Sequence, residues 1–258
     1  MSQLRGATVV VTGAGGGIGA ALARRFAAEG ARLVVNDVDA EKAGAVAAAL
    51  GARALPGDAS TIAAAARDAL GGTVDVYCAN AGVAAIGDPF AEDEGVWSAA
   101  WDVNLMAHVR AVRTLLPDWL ERGSGRFVST VSAAGLLAML GAAPYTASKH
   151  AAYSFAEWLS LTYRHRGLKV HAVCPGGVRT NMMTEAGELG EMILAPHAIE
   201  PAAVADAVMA GIAADRFLIL PHPEVAEYYR ARAADPEAWL DGMNEVQRAW
   251  EERSAGPA

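Results

Sequence analysis

Tyr145 and Lys149 stand four residues apart in the run PYTASK. On a helix this spacing puts both side chains on one face, one turn apart. A free tyrosine has a pKa near ~10, too high for efficient acid or base work at neutral pH. A neighbouring ammonium stabilises the phenolate and is expected to bring that value down. A phenol so placed can take a proton from an alcohol or give one to a ketone. The pair alone says little, because a solvated surface pair has the same spacing, so its meaning rests on what else the chain assembles around it.

A second group of residues suits a phosphate. TGAGGGIG follows directly on the apolar run ATVVV and opens a helical stretch, with Gly13, Gly17 and Gly19 in the spacing G-x-x-x-G-x-G and Ile18 between the last two. Glycines there let the backbone turn tightly and approach a pyrophosphate with no Cβ in the way. The helix N-terminus adds unpaired N–H groups and partial positive charge. Asp37 ends the run LVVND, 20 residues beyond Gly17. A carboxylate at that point accepts hydrogen bonds from both hydroxyls of an adenosine ribose and repels a 2′-phosphate. No Arg or Lys occurs in the glycine turn or within NDVDA, so NAD is expected rather than NADP. The plain alternative is that Asp37 caps the next helix.

These groups need a scaffold, and the chain supplies one. Short β-branched runs (ATVVVTG, ARLVVND, TVDVYCANAG, GRFVSTVSAAG, LKVHAVCPGG) alternate with Ala-rich helical stretches that stop at Gly30 and Gly51. Continuous apolar strands between helices predict a parallel sheet covered on both faces. Right-handed crossovers make this an α/β fold, a single doubly wound Rossmann-type domain spanning 1–258. Its core covers about 6–220, with a last strand around Phe217 to Leu220. A helical C-terminal tail occupies 221–258, where Asp235 caps a helix that starts at Pro236. At 258 residues and 53% hydrophobic, the chain can build a sizeable core. A net charge of −8 argues against nucleic acid or an anionic membrane as partner. Cys78 and Cys174 lie in apolar runs without CxxC spacing, which suggests a reducing compartment. No signal peptide and no 18-residue apolar run is visible, so the expected location is cytoplasmic.

Further motifs stand in a fixed order between the glycine turn and the end of the core. GDAS holds Asp58 and Ala59, NAG holds Asn80 and Gly82, VNLMA holds Asn104, and STVSAAG holds Ser132, thirteen residues before Tyr145; YTASK and PGGVRT follow. With these the chain resembles the classical short-chain dehydrogenase/reductases from about Gly6 to Leu220. The resemblance implies that Tyr145 is the general acid/base, that Lys149 binds the nicotinamide ribose and tunes it, and that Ser132 orients the substrate oxygen. It implies that Asn104 holds a water linking Lys149 to solvent and that Asp58 bonds the adenine. Asn80 and Gly82 would line the cofactor, and Pro175, Gly176, Val178 and Thr180 would meet its nicotinamide end. Singly, Ser132, Asn104 and Asp58 have ordinary readings as a strand-end, helix and turn residue.

The segment NMMTEAGELGEMILAPHAIEP follows PGGVRT, and in that family it covers the substrate. Met182, Met183, Met192, Ile193 and Leu194 give it an apolar, adaptable face, so the expected substrate is an apolar secondary alcohol or its ketone, with cyclic or steroid-like outlines among the candidates. The histidines, His197 and His222 included, lack metal spacing, and no metal is expected. Trp239, Met243, Val246 and Trp250 form a helical stripe in the tail, either packed on its own subunit or a partner, or folded as a lid over the site. A homo-oligomer, tetramer or dimer, is expected, with Phe155, Trp158 and Leu159 packing between subunits or on the sheet. The sequence is also compatible with two other functions. One is a non-catalytic NAD-binding sensor or scaffold, against which an intact Ser132, Tyr145 and Lys149 argues. The other is an epimerase or dehydratase, against which the glycine spacing and short chain argue.

Overall fold

The computed structural model describes residues 4–84, 94–184 and 192–254. Seven strands form one all-parallel sheet in the order β3-β2-β1-β4-β5-β6-β7. They are β1 (Thr8–Val11), β2 (Arg32–Val35), β3 (Arg53–Ala54), β4 (Val76–Ala79), β5 (Gly125–Thr130), β6 (Leu168–Val173) and β7 (Leu218–Ile219). β1 and β4 are buried over their whole length, as strands covered on both faces must be. Their side chains alternate between two apolar clusters. Val10, Tyr77, Phe127 and Val170 point into one, while Val9, Val11, Val76, Cys78 and Val128 point into the other.

Helices fill those two faces. α1 (Gly17–Ala28), α2 (Ala40–Leu50) and α8 (Pro201–Ala213) lie on one side, bringing Leu22, Phe26, Ala47, Val204 and Val208 into the cluster. α3 (Ala63–Ala69), α5 (Ala107–Glu121) and α6 (Ala143–Tyr163) lie on the other, bringing Ala66, Leu115, Trp119 and Leu159. Burying one such Phe or Leu stabilises the fold by about 1.5–3 kcal/mol. α4 (Glu94–Trp101) leads into α5 through a π-helical turn, Asp102–Met106. Such turns are rare and often sit at functional sites. After β6 come the short α7 (Asn181–Thr184) and, beyond β7, α9 (Pro223–Ala234) and α10 (Pro236–Ser254).

Several local expectations meet the structure directly. Gly51 ends α2 in the left-handed conformation, with φ 61°. Asp235 accepts from the Ala238 N–H at 3.1 Å, at the start of α10. The last strand is shorter than expected, because Phe217 contributes only its carbonyl, to the Ala172 N–H at 2.7 Å. On α6, Leu159 is fully buried in its own core, whereas Trp158 is 51% exposed. Both cysteines are buried free thiols. Among the described residues no helix is long and apolar enough to cross a membrane.

The sheet order reverses between β1 and β4: the chain runs outward through β2 and β3, then returns to the other side of β1. In an open parallel sheet the crevice beyond the carboxyl ends of two such strands is where ligands bind.

Candidate active site

A cleft of about 1900 Å³ opens at that point, well above the 300–1,000 Å³ typical of a pocket for one small ligand. Its inner end is the glycine turn between β1 and α1. Gly13 and Gly17 have φ of 61° and 51°. A Cβ on Gly19 would stand 2.2 Å from the Gly13 carbonyl oxygen, so α1 rests directly on the turn. Gly16 is the N-cap of α1 and offers no side-chain bond, which leaves the helix end open toward the cleft beside Ile18. The turn is fastened by Asn80, the residue directly after β4. Asn80 Nδ2 donates to the carbonyls of Thr12 (3.0 Å) and Gly13 (3.2 Å), while its Oδ1 accepts from Thr130 Oγ1 (3.1 Å). Asn80 thus borders the cleft and also ties the ends of β1, β4 and β5 together.

Asp37 lies at the rim of this turn. Its Oδ2 accepts from the Gly15 N–H at 2.9 Å and its Oδ1 from the Asp39 N–H at 3.0 Å. The cap of α2 is Asp39, which accepts from Glu41 and Lys42 N–H, so the plain capping role falls to Asp39 and not to Asp37. Lys42, one helical turn on, also borders the cleft, and its Nζ is 3.1 Å from Asp39. Inspection of NDVDA alone missed this lysine, because the helix carries it back over Gly15. Asp58 and Ala59 line the same end, and Asp58 Oδ1 accepts from Ser60 N–H at 2.8 Å.

The deeper end gathers the acid/base candidates. Lys149 is 3% exposed; its Nζ donates to the Thr130 carbonyl at 3.0 Å and lies 5.6 Å from the centre of the Tyr145 ring. Burial brings the Lys149 ammonium down to about 8. Burial also raises the Tyr145 phenol above its ordinary value, and the Ser132 hydroxyl opposes that rise. The lowering expected from the lysine is not found: removing the phenolate from water raises the phenol, and Ser132, not Lys149, is the group that opposes it.

Ser132 sits in a conformation that side chains rarely adopt, φ 146° and ψ 159°, a strain of about 1–3 kcal/mol of the kind that clusters at functional sites. The Ala134 N–H donates to its Oγ at 3.1 Å, which holds the oxygen and leaves the hydroxyl proton for another acceptor. Asn104 lies in the π-helical turn and is fully buried. Its Nδ2 donates to the Val83 carbonyl and to Ser148 Oγ, both at 3.1 Å, and its Oδ1 accepts from Val83 N–H at 2.9 Å. Both amide donors are thus committed to bracing the loop beside Gly82 and helix α6. A Cβ on Gly82 would come within 3.4 Å of Lys149 Nζ.

The opposite wall is the PGGVRT loop after β6, where Pro175, Gly176, Val178 and Thr180 border the cleft. Thr180 reaches back to the glycine turn, its Cγ2 3.0 Å from where a Gly17 Cβ would stand. Beyond it Met182, Met183, Met192, Ile193 and Leu194 line an apolar end, together with Met139, Trp239, Met243 and Val246; residues 185–191 of that segment lie outside the described residues. The tail stripe therefore borders the cleft over three of its four members, and α10 rests on α9 through the Tyr228–Trp239 ring contact at 6.1 Å. His222, set aside in the sequence for want of metal spacing, lies buried against the same loop.

Known proteins share this architecture. The family model described as short chain dehydrogenase matches residues 7–189. The chain is 37% identical over 201 residues to 1-deoxy-11-beta-hydroxypentalenate dehydrogenase of Streptomyces exfoliatus, covering 70% of each chain. A short chain dehydrogenase/reductase from Burkholderia phymatum, solved in complex with NAD, superposes with a TM-score of 0.84 at 29% identity, over 92% of this chain and 96% of that one. A short-chain dehydrogenase from Sphingobium yanoikuyae, solved in complex with NADPH, gives 0.78 at 27% identity, over 94% and 95%. With the doubly wound sheet, the glycine turn and the family match in hand, the chain belongs to the short-chain dehydrogenase family, oxidoreductases that act on hydroxyl groups.

Proposed function

We propose that the protein interconverts an apolar secondary alcohol and its ketone with NAD(H), Tyr145 acting as general acid/base. The observation that carries this reading is the meeting of Tyr145, Ser132 and Lys149 in the same cleft as the glycine turn and Asp37. The cradle fits a dinucleotide: the turn at Gly13, Gly17 and Gly19 has no room for side chains, the α1 terminus suits a pyrophosphate, and Asp37 suits two ribose hydroxyls. Asp58, Ala59, Asn80 and Gly82 border its adenosine-to-ribose length, and Pro175, Gly176, Val178 and Thr180 its nicotinamide end. A bound nicotinamide supplies the hydride donor or acceptor.

The chain's own groups do the rest. The Ser132 hydroxyl donates to the substrate oxygen and orients it. In reduction, the protonated Tyr145 phenol gives its proton to the forming alkoxide. In oxidation, the phenolate takes that proton, and the Lys149 ammonium is the cation placed to stabilise it. Lys149 has three N–H donors; one goes to Thr130, and the others would be free to hold the ribose hydroxyls of a bound dinucleotide. Asn104 holds α6 and the Val83 loop in register beneath Lys149.

The substrate reading rests on Met182, Met183, Met192 and Met243, which line the same cleft as Trp239 and form a surface that adapts to bulky apolar shapes. Lys42 favours a second reading for the cofactor, because its cation, 3.1 Å from Asp39 at the rim of the cleft, could also serve a 2′-phosphate. As further parts of the proposal, the chain forms one domain and assembles as a homo-oligomer through faces such as the exposed Trp158 and Leu161 of α6. Turnover of a panel of apolar secondary alcohols with NAD and, in parallel, NADP tests the proposal. Oxidation of bulky apolar alcohols with a preference for NAD is expected; faster turnover of sugars, or a preference for NADP, contradicts the corresponding part.

A further inference from the structure

His222 joins β7 to α9, and its ring is 2% exposed. The Gly176 N–H donates to Nδ1 at 3.0 Å, and Nε2 stands 3.0 Å from the Gly177 carbonyl. A backbone N–H can only donate, so Nδ1 is the acceptor and Nε2 carries the proton that goes to Gly177. One ring therefore satisfies both a donor and an acceptor of two consecutive residues in the cleft wall. The Gly177 carbonyl also accepts from Ile199 N–H at 3.1 Å, which draws it away from the cleft. A Cβ on Gly176 would stand 3.3 Å from the ring, so the ring presses directly on the loop backbone. The same loop holds the turn of Ser132, because the Pro175 carbonyl accepts from Ala133 N–H at 2.7 Å.

We infer that His222 is a positioning residue: it clamps the backbone on either side of the Gly176–Gly177 pair, at the Gly176 N–H and the Gly177 carbonyl, so that this wall is preset for the nicotinamide end of a bound dinucleotide. The inference rests on the dinucleotide reading of the cleft. A hydrophobic residue of similar size would fill the space but leave two backbone groups unmatched at the wall. A glutamine carries an acceptor and a donor of its own and can replace both bonds.

The test uses the full chain and two ligands, NADH and ADP-ribose, which lacks the nicotinamide. NADH binding is read by fluorescence and ADP-ribose binding by calorimetry. His222→Leu is expected to weaken NADH by roughly tenfold or more, the size of two lost net hydrogen bonds, with ADP-ribose held within about twofold. His222→Gln is expected to recover most of the NADH affinity. Should the leucine variant not fold, His222→Asn is the second loss variant, its amide too short to reach both groups. Equal losses for the two ligands, unchanged NADH binding, or a glutamine variant as weak as the leucine one overturns the clamp. Failure of the unaltered protein to bind ADP-ribose overturns the dinucleotide reading, and the clamp with it.

Discussion

Replacing Lys149 by methionine should make the protein more stable at pH 7. Lys149 is an ammonium buried to 3% exposure, with the Thr130 carbonyl as its hydrogen-bond partner. The groups around it add no opposing charge at neutral pH. Burial, then the Lys149 charge, takes His108 down to about 3, and burial pushes the Cys174 thiol up to about 12. Burial takes Lys149 itself from 10.5 to about 8, which corresponds to roughly 3 kcal/mol against the charged, folded form. Methionine has nearly the same shape and removes that cost. It also removes the bond to Thr130, a loss of about 1.5 kcal/mol for a charged donor. The net gain is about 1–2 kcal/mol, or a few degrees in Tm for a chain of this size. The sign with pH follows from the direction of the shift. Between pH 8 and 10.5 the unfolded lysine still holds a proton that the folded one has released, so the wild-type protein gains stability relative to the variant as pH rises. The burial cost is complete below pH 8 and gone above 10.5. Urea unfolding of both proteins at pH 7, 8 and 9 reads the difference, in which the buried tyrosines and cysteines cancel. A variant less stable than wild type at pH 7, or a difference that does not shrink toward pH 9, refutes this reasoning.

Other consequences are as direct. Asp37→Ala removes the carboxylate that repels a 2′-phosphate, so the ratio of kcat/KM values for NADP and NAD should rise by roughly tenfold or more; an unchanged ratio would remove Asp37 from the discrimination. Phe127→Ala deletes a fully buried ring packed against Tyr77 and His108, and calorimetry or urea unfolding should register a loss of about 3–5 kcal/mol. Trp239→Ala should raise KM for bulky apolar alcohols by roughly tenfold and leave small ones unaffected, because Trp239 is a large apolar side chain that the C-terminal helix contributes to the cleft lining. An equal effect on both sizes would make α10 a structural helix alone.

How far the sequence carries depends on how local the cause is. The strands could be read because a parallel sheet buried on both faces demands short, largely apolar runs, continuous and β-branched in β1 (TVVV) and apolar though not β-branched throughout in β4 (VYCA). The glycine turn was legible because its backbone geometry needs glycine at fixed steps. β7 was read too long, since only two of its residues find partners on β6. The helical tail was legible, through Asp235 and Pro236 above all, whereas the packing face of α9 was not, because PEVAEYYRARAA buries a single residue, Val225. The sequence also placed Tyr145 and Lys149 on one helix face, but the rise in the phenol pKa depends on burial that no spacing encodes. Asn104 could be singled out by its motif, though not its π-helical setting or the full commitment of its amide donors. Lys42 and His222 escaped for a related reason. Lys42 reaches the cleft only when α2 folds back over Gly15, and His222 acts on the backbone of residues 46 positions earlier.

The central claim is that Tyr145 moves the substrate proton within a cofactor site it does not itself hold together. Tyr145→Phe keeps the ring and removes one hydroxyl, and the measurement is kcat for the best alcohol alongside NADH affinity by fluorescence. If Tyr145 is the acid/base, kcat falls by roughly 10²–10⁴ while NADH affinity stays within about twofold of wild type. Turnover retained within about tenfold of wild type, with the cofactor still bound, would contradict it and move the acid/base role to another group.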